Sequence, residues 1–284
     1  MRILVLGASG MLGNAMLRVL SEKEDIQVYG TMRSESAKRF FHADIAERLI
    51  CNVDVGQNDS LTQTFVQVRP DAVVNCVGLV KQLAEADDPL QAVPINTLLP
   101  HRLARLCDLA GARLIHMSTD CVFSGEKGGY RESDVSDATD LYGRTKYLGE
   151  VDYPYAITLR TSIIGHELQC AHGLVGWFLS QQGKCKGYTR AIFSGVPTVV
   201  LAQIIRDVVI RHPELHGVYH VAADPISKYD LLNLVAKVYG KQIEIVPDDD
   251  LVIDRSLDAS RFREATGYVV PEWDEMIKLM HAYK

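Results

Sequence analysis

The chain has no C-x-x-C pair: its six cysteines, at positions 51, 76, 107, 121, 170 and 185, stand singly and show no metal-type spacing. No cysteine metal site is therefore expected, and single thiols read as reduced, mostly small core residues of a cytoplasmic protein. Long hydrophobic runs are absent too. The longest mainly apolar stretches, residues 72–80 and 196–205, are too short to span a bilayer. An apolar run already begins at residue 2, which leaves no room for a signal peptide ahead of the fold. Positive charge is not in excess. A formal net charge of -6 at pH 7 gives no electrostatic reason to expect nucleic acid or anionic membrane as a partner. Internal repeats and low-complexity linkers are missing as well.

What the sequence does contain begins at its start. Residues 2–6 form a short apolar run that ends in Gly7, Gly10 and Gly13, and Met11, Leu12, Ala15, Met16, Val19 and Leu20 then recur at helical spacing. Strand, glycine loop and helix together make a dinucleotide-binding loop. Gly7 permits the tight turn, Gly10 lets backbone approach a pyrophosphate, and Gly13 allows close helix–strand packing. The free amides of Ser9, Gly10, Met11 and Leu12 at the helix start then face phosphate. The first gap is one residue longer than in the common fingerprint.

Strands and helices alternate through the first half. Strands are predicted at 26–30, 50–54, 72–77, 113–118 and 156–161, and helices at 91–110 and 141–152. That alternation, in a chain of 284 residues, gives an α/β fold class: a Rossmann-type doubly wound parallel sheet with helices on both faces. After Arg160 it weakens. Helices are expected at 174–181, 201–211 and 228–239, the last capped by Ser227, with a turn at 195–198 and a strand at 218–222. We divide the chain into a nucleotide-binding domain, 1–160, and a mainly substrate-binding lobe, 161–284, from which some segments return to the first domain.

The end of the second strand bears on cofactor choice. A carboxylate there hydrogen-bonds the ribose of NAD, but Tyr29 to Ser34 contains none. Arg33 and Ser34 instead suit a 2′-phosphate, arginine through a charge-assisted fork, or are plain loop residues. NADP(H) is favoured, with NAD(H) possible. Asp54 and Val55, ending the third strand, are placed for adenine. Asn75, Cys76 and Val77, ending the fourth, are placed to order backbone beside the cofactor. Asp54 and Asn75 equally suit turns.

Two further pieces carry chemistry. Ser118 and Thr119 put hydroxyls at the carboxyl end of a strand, where ligands bind in open α/β sheets. Tyr142 and Lys146 lie four apart on one helix face. An ordinary tyrosine has a pKa of about 10, and a neighbouring cation is expected to lower it.

With these residues in view, the chain resembles the extended short-chain dehydrogenase/reductases, and among them the dTDP-4-dehydrorhamnose reductase family. The matching segments are Ser118-Thr119-Asp120-Cys121-Val122-Phe123-Ser124-Gly125 and Tyr142-Gly143-Arg144-Thr145-Lys146-Tyr147-Leu148-Gly149-Glu150, with echoes around Asn96, Arg160, Pro197, His220 and Ser256. The resemblance implies NADPH-dependent reduction of the C4 ketone of a nucleotide-activated 4-keto-6-deoxy sugar, by a protein able to form a homodimer. By position, Tyr142 donates the proton, Lys146 lowers its pKa and bonds the nicotinamide ribose, and Thr119 holds the ketone oxygen with Ser118 as substitute. Lys81, Cys121 and Arg160 join Ser118, Thr119 and Tyr142 on the substrate side.

Departures narrow this reading. A 4,6-dehydratase would want Asp-Glu after the threonine, whereas Asp120 is followed by Cys121, itself read as a small buried thiol. An epimerase with tightly held NAD is disfavoured by the missing acid. Lys81 and Gln82, at the cleft mouth, suit a pyrophosphate or a different sugar, or are ordinary loop residues. Some members dimerise through a metal held by glutamates, one of them at the position of Ala15, so no metal site is carried over to this chain. A regulatory subunit of methionine adenosyltransferase shares much of the motif set, so a non-catalytic role is the rival reading.

Overall fold

The fold is described from a computed structural model over residues 1–81, 84–169 and 171–284. Gln82 and Cys170, both named above, lie outside the described residues.

Six parallel strands lead the sheet: β1 (Arg2–Leu6), β2 (Gln27–Thr31), β3 (Leu49–Ile50), β4 (Ala72–Asn75), β5 (Arg113–Met117) and β6 (Ala156–Arg160). A seventh, Gly217–His220, pairs with β6, and the sheet order is Gly217–His220, β6, β5, β4, β1, β2, β3. Ile3, Leu4, Val5 and Leu6 are wholly buried, which is why β1 reads as a continuous apolar run and not as an alternation. The chain reverses direction across the sheet at β1, between β2 and β4. Ligands in such sheets bind outside the carboxyl ends of the strands at that point.

Several elements differ from their predicted limits. The third strand stops at Ile50 because Asn52 adopts a left-handed φ of 59°, taking residues 51–54 out of the ladder. The expected helix 91–110 is divided into a turn at Pro89–Ala92, a π-helical stretch at Val93–Leu98 and the helix Leu99–Ala110. Pro94 and Pro100 lack the amides that an uninterrupted helix needs. The Tyr/Lys helix is shorter than predicted, Leu141–Leu148, and the one after Pro197 starts earlier, Thr198–Asp207.

The strand expected at 218–222 does belong to the main sheet. Residues beyond 160 also share the first core: Val199, Ile204, Met276 and Ile277 pack in one cluster with Ile3 and Val5. Smaller sheets pair Lys184–Tyr188 with Glu244–Asp248, and Ile226–Ser227 and Ile253–Asp254 with Ala191–Phe193. Among the described residues no helix is long and apolar enough to cross a membrane.

Candidate active site

The glycine loop fits a dinucleotide on steric grounds. Gly7 sits at φ +81°, and a Cβ there would lie 3.0 Å from Val77 Cγ2; a Cβ on Gly13 would collide with the Gly7 carbonyl. Gly10 is exposed and opens the helix Met11–Ser21 without a side-chain cap, and no acidic residue occupies the first turn. The helix-start amides thus keep their donors for an anion. Leu12 turns its side chain into the core, leaving only backbone to a ligand, while Ser9 and Met11 are half-buried. Arg33 and Ser34 are exposed after β2, and Ser34 caps the short helix Glu35–Phe40 by accepting from the Ser36 amide at 3.3 Å.

Of the other residues assigned to the cofactor, Asp54 takes the turn role and Asn75 orders backbone. The Asp54 carboxylate accepts from the Gly56 amide at 2.9 Å. Asn75 is fully buried; its Oδ1 accepts from Val77 N and its amide donates to His116 Nδ1, both at 3.1 Å. It orders backbone from beneath. Cys76 and Val77 are half-buried beside Gly7, and burial pushes the Cys76 thiol up to about 12.

Thr119, Tyr142 and Lys146 come together at the carboxyl end of β5. Thr119 Oγ1 accepts from the Cys121 amide and donates to Asp120 Oδ1, both at 3.1 Å. Tyr142 is placed beside this turn by Gly143, where a Cβ would collide with the Cys121 carbonyl, and by Asp140, whose carboxylate caps the helix by accepting from Gly143 N at 2.7 Å. Lys146 is buried and donates to the Met117 carbonyl at 2.6 Å. Burial pulls its ammonium down to about 8, with Glu150 opposing.

The expected lowering of the Tyr142 phenol is not what the fold produces. Burial raises it above its ordinary value, and Cys121, Asp120 and Asp140 add to the rise, while hydrogen bonding by Thr119 opposes it. Lys146 spends its short bond on Met117. The phenol is therefore protonated at neutral pH, in the form a proton donor requires.

Two substrate assignments are corrected. Arg160 is 3% exposed and fully engaged: Nε and Nη2 donate to Glu150 at 2.8 and 2.7 Å, Nη1 donates to His220 Nε2 at 3.3 Å, and the guanidinium lies over the Phe123 ring. Ser118 donates to Glu150 Oε1 at 2.6 Å, so its hydroxyl is not spare for a ketone. A buried guanidinium demands a paired carboxylate, and Glu150 recruits both groups inward. Lys81, by contrast, stays at the surface and bonds Asp140 Oδ2 at 2.5 Å, bridging to the cap of the Tyr142 helix. Cys121 is half-buried; burial, then Asp120, push its thiol up to about 12, which disfavours the thiolate.

The sequence reading gave no role to Gly143, Glu150 or Asp120, and saw Asn96 only as an echo. Asn96 is buried, accepts from Leu79 N at 2.9 Å and donates to Thr145 at 3.3 Å, tying the loop after β4 to the Tyr142 helix. No local sequence signal marked it: the π-helical stretch that holds it, of a kind that recurs at functional sites, exists only in the folded chain. For Gly143 no local signal existed, because its neighbour is a carbonyl from another loop. Gly143→Ala should misplace Tyr142 and cost about 1–3 kcal/mol of stability; a denaturation midpoint equal to wild type would contradict the packing argument.

The model of the RmlD substrate binding domain family matches residues 1–283. The chain belongs to this family. It is 24% identical to dTDP-4-dehydrorhamnose reductase of Aggregatibacter actinomycetemcomitans, over 99% of this chain and 99% of that protein. It is 30% identical to methionine adenosyltransferase 2 subunit beta of Xenopus laevis, over 84% of this chain and 72% of that protein. The crystal structure of dTDP-4-dehydrorhamnose reductase from Bacillus anthracis in complex with NADP superposes with a TM-score of 0.80 at 21% identity, covering 100% of this chain and 99% of that one. At that identity the superposition establishes the Rossmann-type fold.

Proposed function

We propose that this family member reduces the C4 ketone of a nucleotide-activated 4-keto-6-deoxy sugar, such as dTDP-4-dehydro-L-rhamnose or a UDP-linked relative, with NADPH as reductant. The observation that carries the reading is the convergence of the Thr119 hydroxyl, the protonated Tyr142 phenol and the buried Lys146 ammonium at the end of β5. The glycine loop, the uncapped helix start and the exposed Arg33 are suited to hold NADP(H), which supplies the hydride when bound. Tyr142 delivers a proton to the oxygen that gains charge, and Thr119 orients that oxygen. Lys146 supplies positive charge from below. This is general acid catalysis combined with stabilisation of growing negative charge.

A panel of dTDP- and UDP-linked 4-keto sugars, scored by loss of NADPH absorbance with product configuration read by NMR, tests the reading. No oxidation with any of them would overturn it. It would also favour a regulatory subunit, the reading supported by the 30% identity to methionine adenosyltransferase 2 subunit beta; co-purification of a catalytic partner would then be the expected result.

The pH dependence follows from Lys146. Its pKa is lowered to about 8, so the charged form is complete well below that value and is lost as pH rises through it. We expect kcat/KM for NADPH, which reports the free enzyme, to fall above pH 8. A profile flat to pH 10 would rule out a need for the ammonium.

A further inference from the structure

Two cations near the Thr119 turn make no ion pair among the described residues. Arg255 follows the short strand Ile253–Asp254, far from Thr119 in sequence. Its Nε donates to the Phe123 carbonyl at 2.8 Å, which fixes the plane of the guanidinium, and Nη1 points at Cys121 Sγ, 3.8 Å away. No carboxylate lies within ion-pair distance of it among the described residues. Its bonds to the Cys121–Phe123 turn place it on the wall of the candidate site, where its charge is felt by Asp120, Asp137 and Asp140.

Lys228 is the second cation. It is half-buried at the first position of the helix Lys228–Tyr239, where the helix dipole disfavours positive charge. Among the described residues it makes neither a side-chain hydrogen bond nor an ion pair. The strands that lead into the two cations, Ile226–Ser227 and Ile253–Asp254, both pair with Ala191–Phe193, so Lys228 and Arg255 share one neighbourhood; burial lowers the Lys228 pKa, Asp120 and Cys121 oppose this, and Arg255 adds to it. Neither local helix preference nor burial accounts for a lysine there. Both residues come from the carboxyl-terminal half, whereas the hydroxyl and phenol come from the β5 turn and the Tyr142 helix.

We propose that Arg255 and Lys228 form the seat for the diphosphate of the nucleotide-linked substrate, fixing how far the sugar reaches toward Thr119 and Tyr142. This rests on the reductase reading. Nη2 of Arg255 and the second N–H of Nη1 remain to meet phosphate oxygens, and Lys228 adds a point charge on the same wall. A sugar without its nucleoside diphosphate loses that anchor and with it the orientation at C4.

Calorimetric titration of UDP and dTDP into wild type, Arg255→Gln and Lys228→Gln tests the seat, with NADPH titrated as control. Each variant should weaken binding of the preferred nucleotide about tenfold to a hundredfold, leave NADPH affinity unchanged, and raise KM for the sugar nucleotide more than it lowers kcat. Lys228→Gln should melt no lower than wild type, because it relieves the charge–dipole conflict; this separates lost binding from lost folding. Unchanged nucleotide affinity in both variants, or no binding of either nucleotide by wild type, would overturn the proposal. Nucleotide binding that the variants lose, in a wild type that oxidises no NADPH, would uphold the seat and reject the reductase reading.

Discussion

Tyr142→Phe is expected to cut turnover by about 10²–10⁴-fold while NADPH binds as in wild type, the range that proton transfer by a placed side chain commonly contributes. The substitution removes one oxygen and keeps the ring, which lies half-buried against the Cys121 loop. The helix should stay in place, since its anchors are the Asp140 cap and the contact of Gly143 with Cys121. Thr119 retains its bonds to Asp120 and the Cys121 amide. Single-turnover kinetics with a dTDP- or UDP-linked 4-keto sugar, next to NADPH fluorescence titration, separates chemistry from binding. Near-normal turnover would remove Tyr142 from the mechanism.

Glu150→Ala should cost about 3–5 kcal/mol of folding stability, the usual penalty for stranding a buried charge. The Glu150 and Arg160 side chains are 7% and 4% exposed, so Arg160 would remain charged with no carboxylate and little water. Ser118 would lose its acceptor as well. Against a typical total of about 5–15 kcal/mol, that loss is readily seen as a shift in urea midpoint. Adding Arg160→Met to Glu150→Ala should recover part of it, because the stranded charge is then gone. A single-variant loss below about 1 kcal/mol would show that the pair is solvated. His220, held neutral with its pKa near 4 by burial and then by Arg160, should accept from Arg160 in wild type and lose that bond in the double variant.

The parts of the site that were legible in the sequence are those set by backbone sterics and short spacing. Gly7 and Gly13 are required because a Cβ at either meets the neighbouring chain, and a pattern of glycines records that directly. Tyr142 and Lys146 share a helix face by spacing alone. The alternation of apolar runs with helical segments specified a parallel sheet, and the sheet then placed the ends of β1, β4 and β5 side by side.

Other roles depended on partners that no local pattern identifies. Whether Arg160 meets substrate or core was decided by Glu150, ten residues earlier, and by His220 on the neighbouring strand. The sign of the Tyr142 shift was decided by burial, a property of the whole packed environment, with Cys121, Asp120 and Asp140 acting in the same direction. Arg255 and Lys228 were invisible because their charges face Cys121 and Asp120 only after residues from the carboxyl-terminal half close over the sheet. The sequence by itself determined the nucleotide loop, the parallel sheet and the Tyr142–Lys146 spacing, since each follows from sterics within a few residues. The tertiary structure alone decided which polar groups face inward and which stay free, because desolvation and pairing act between residues that the chain keeps far apart.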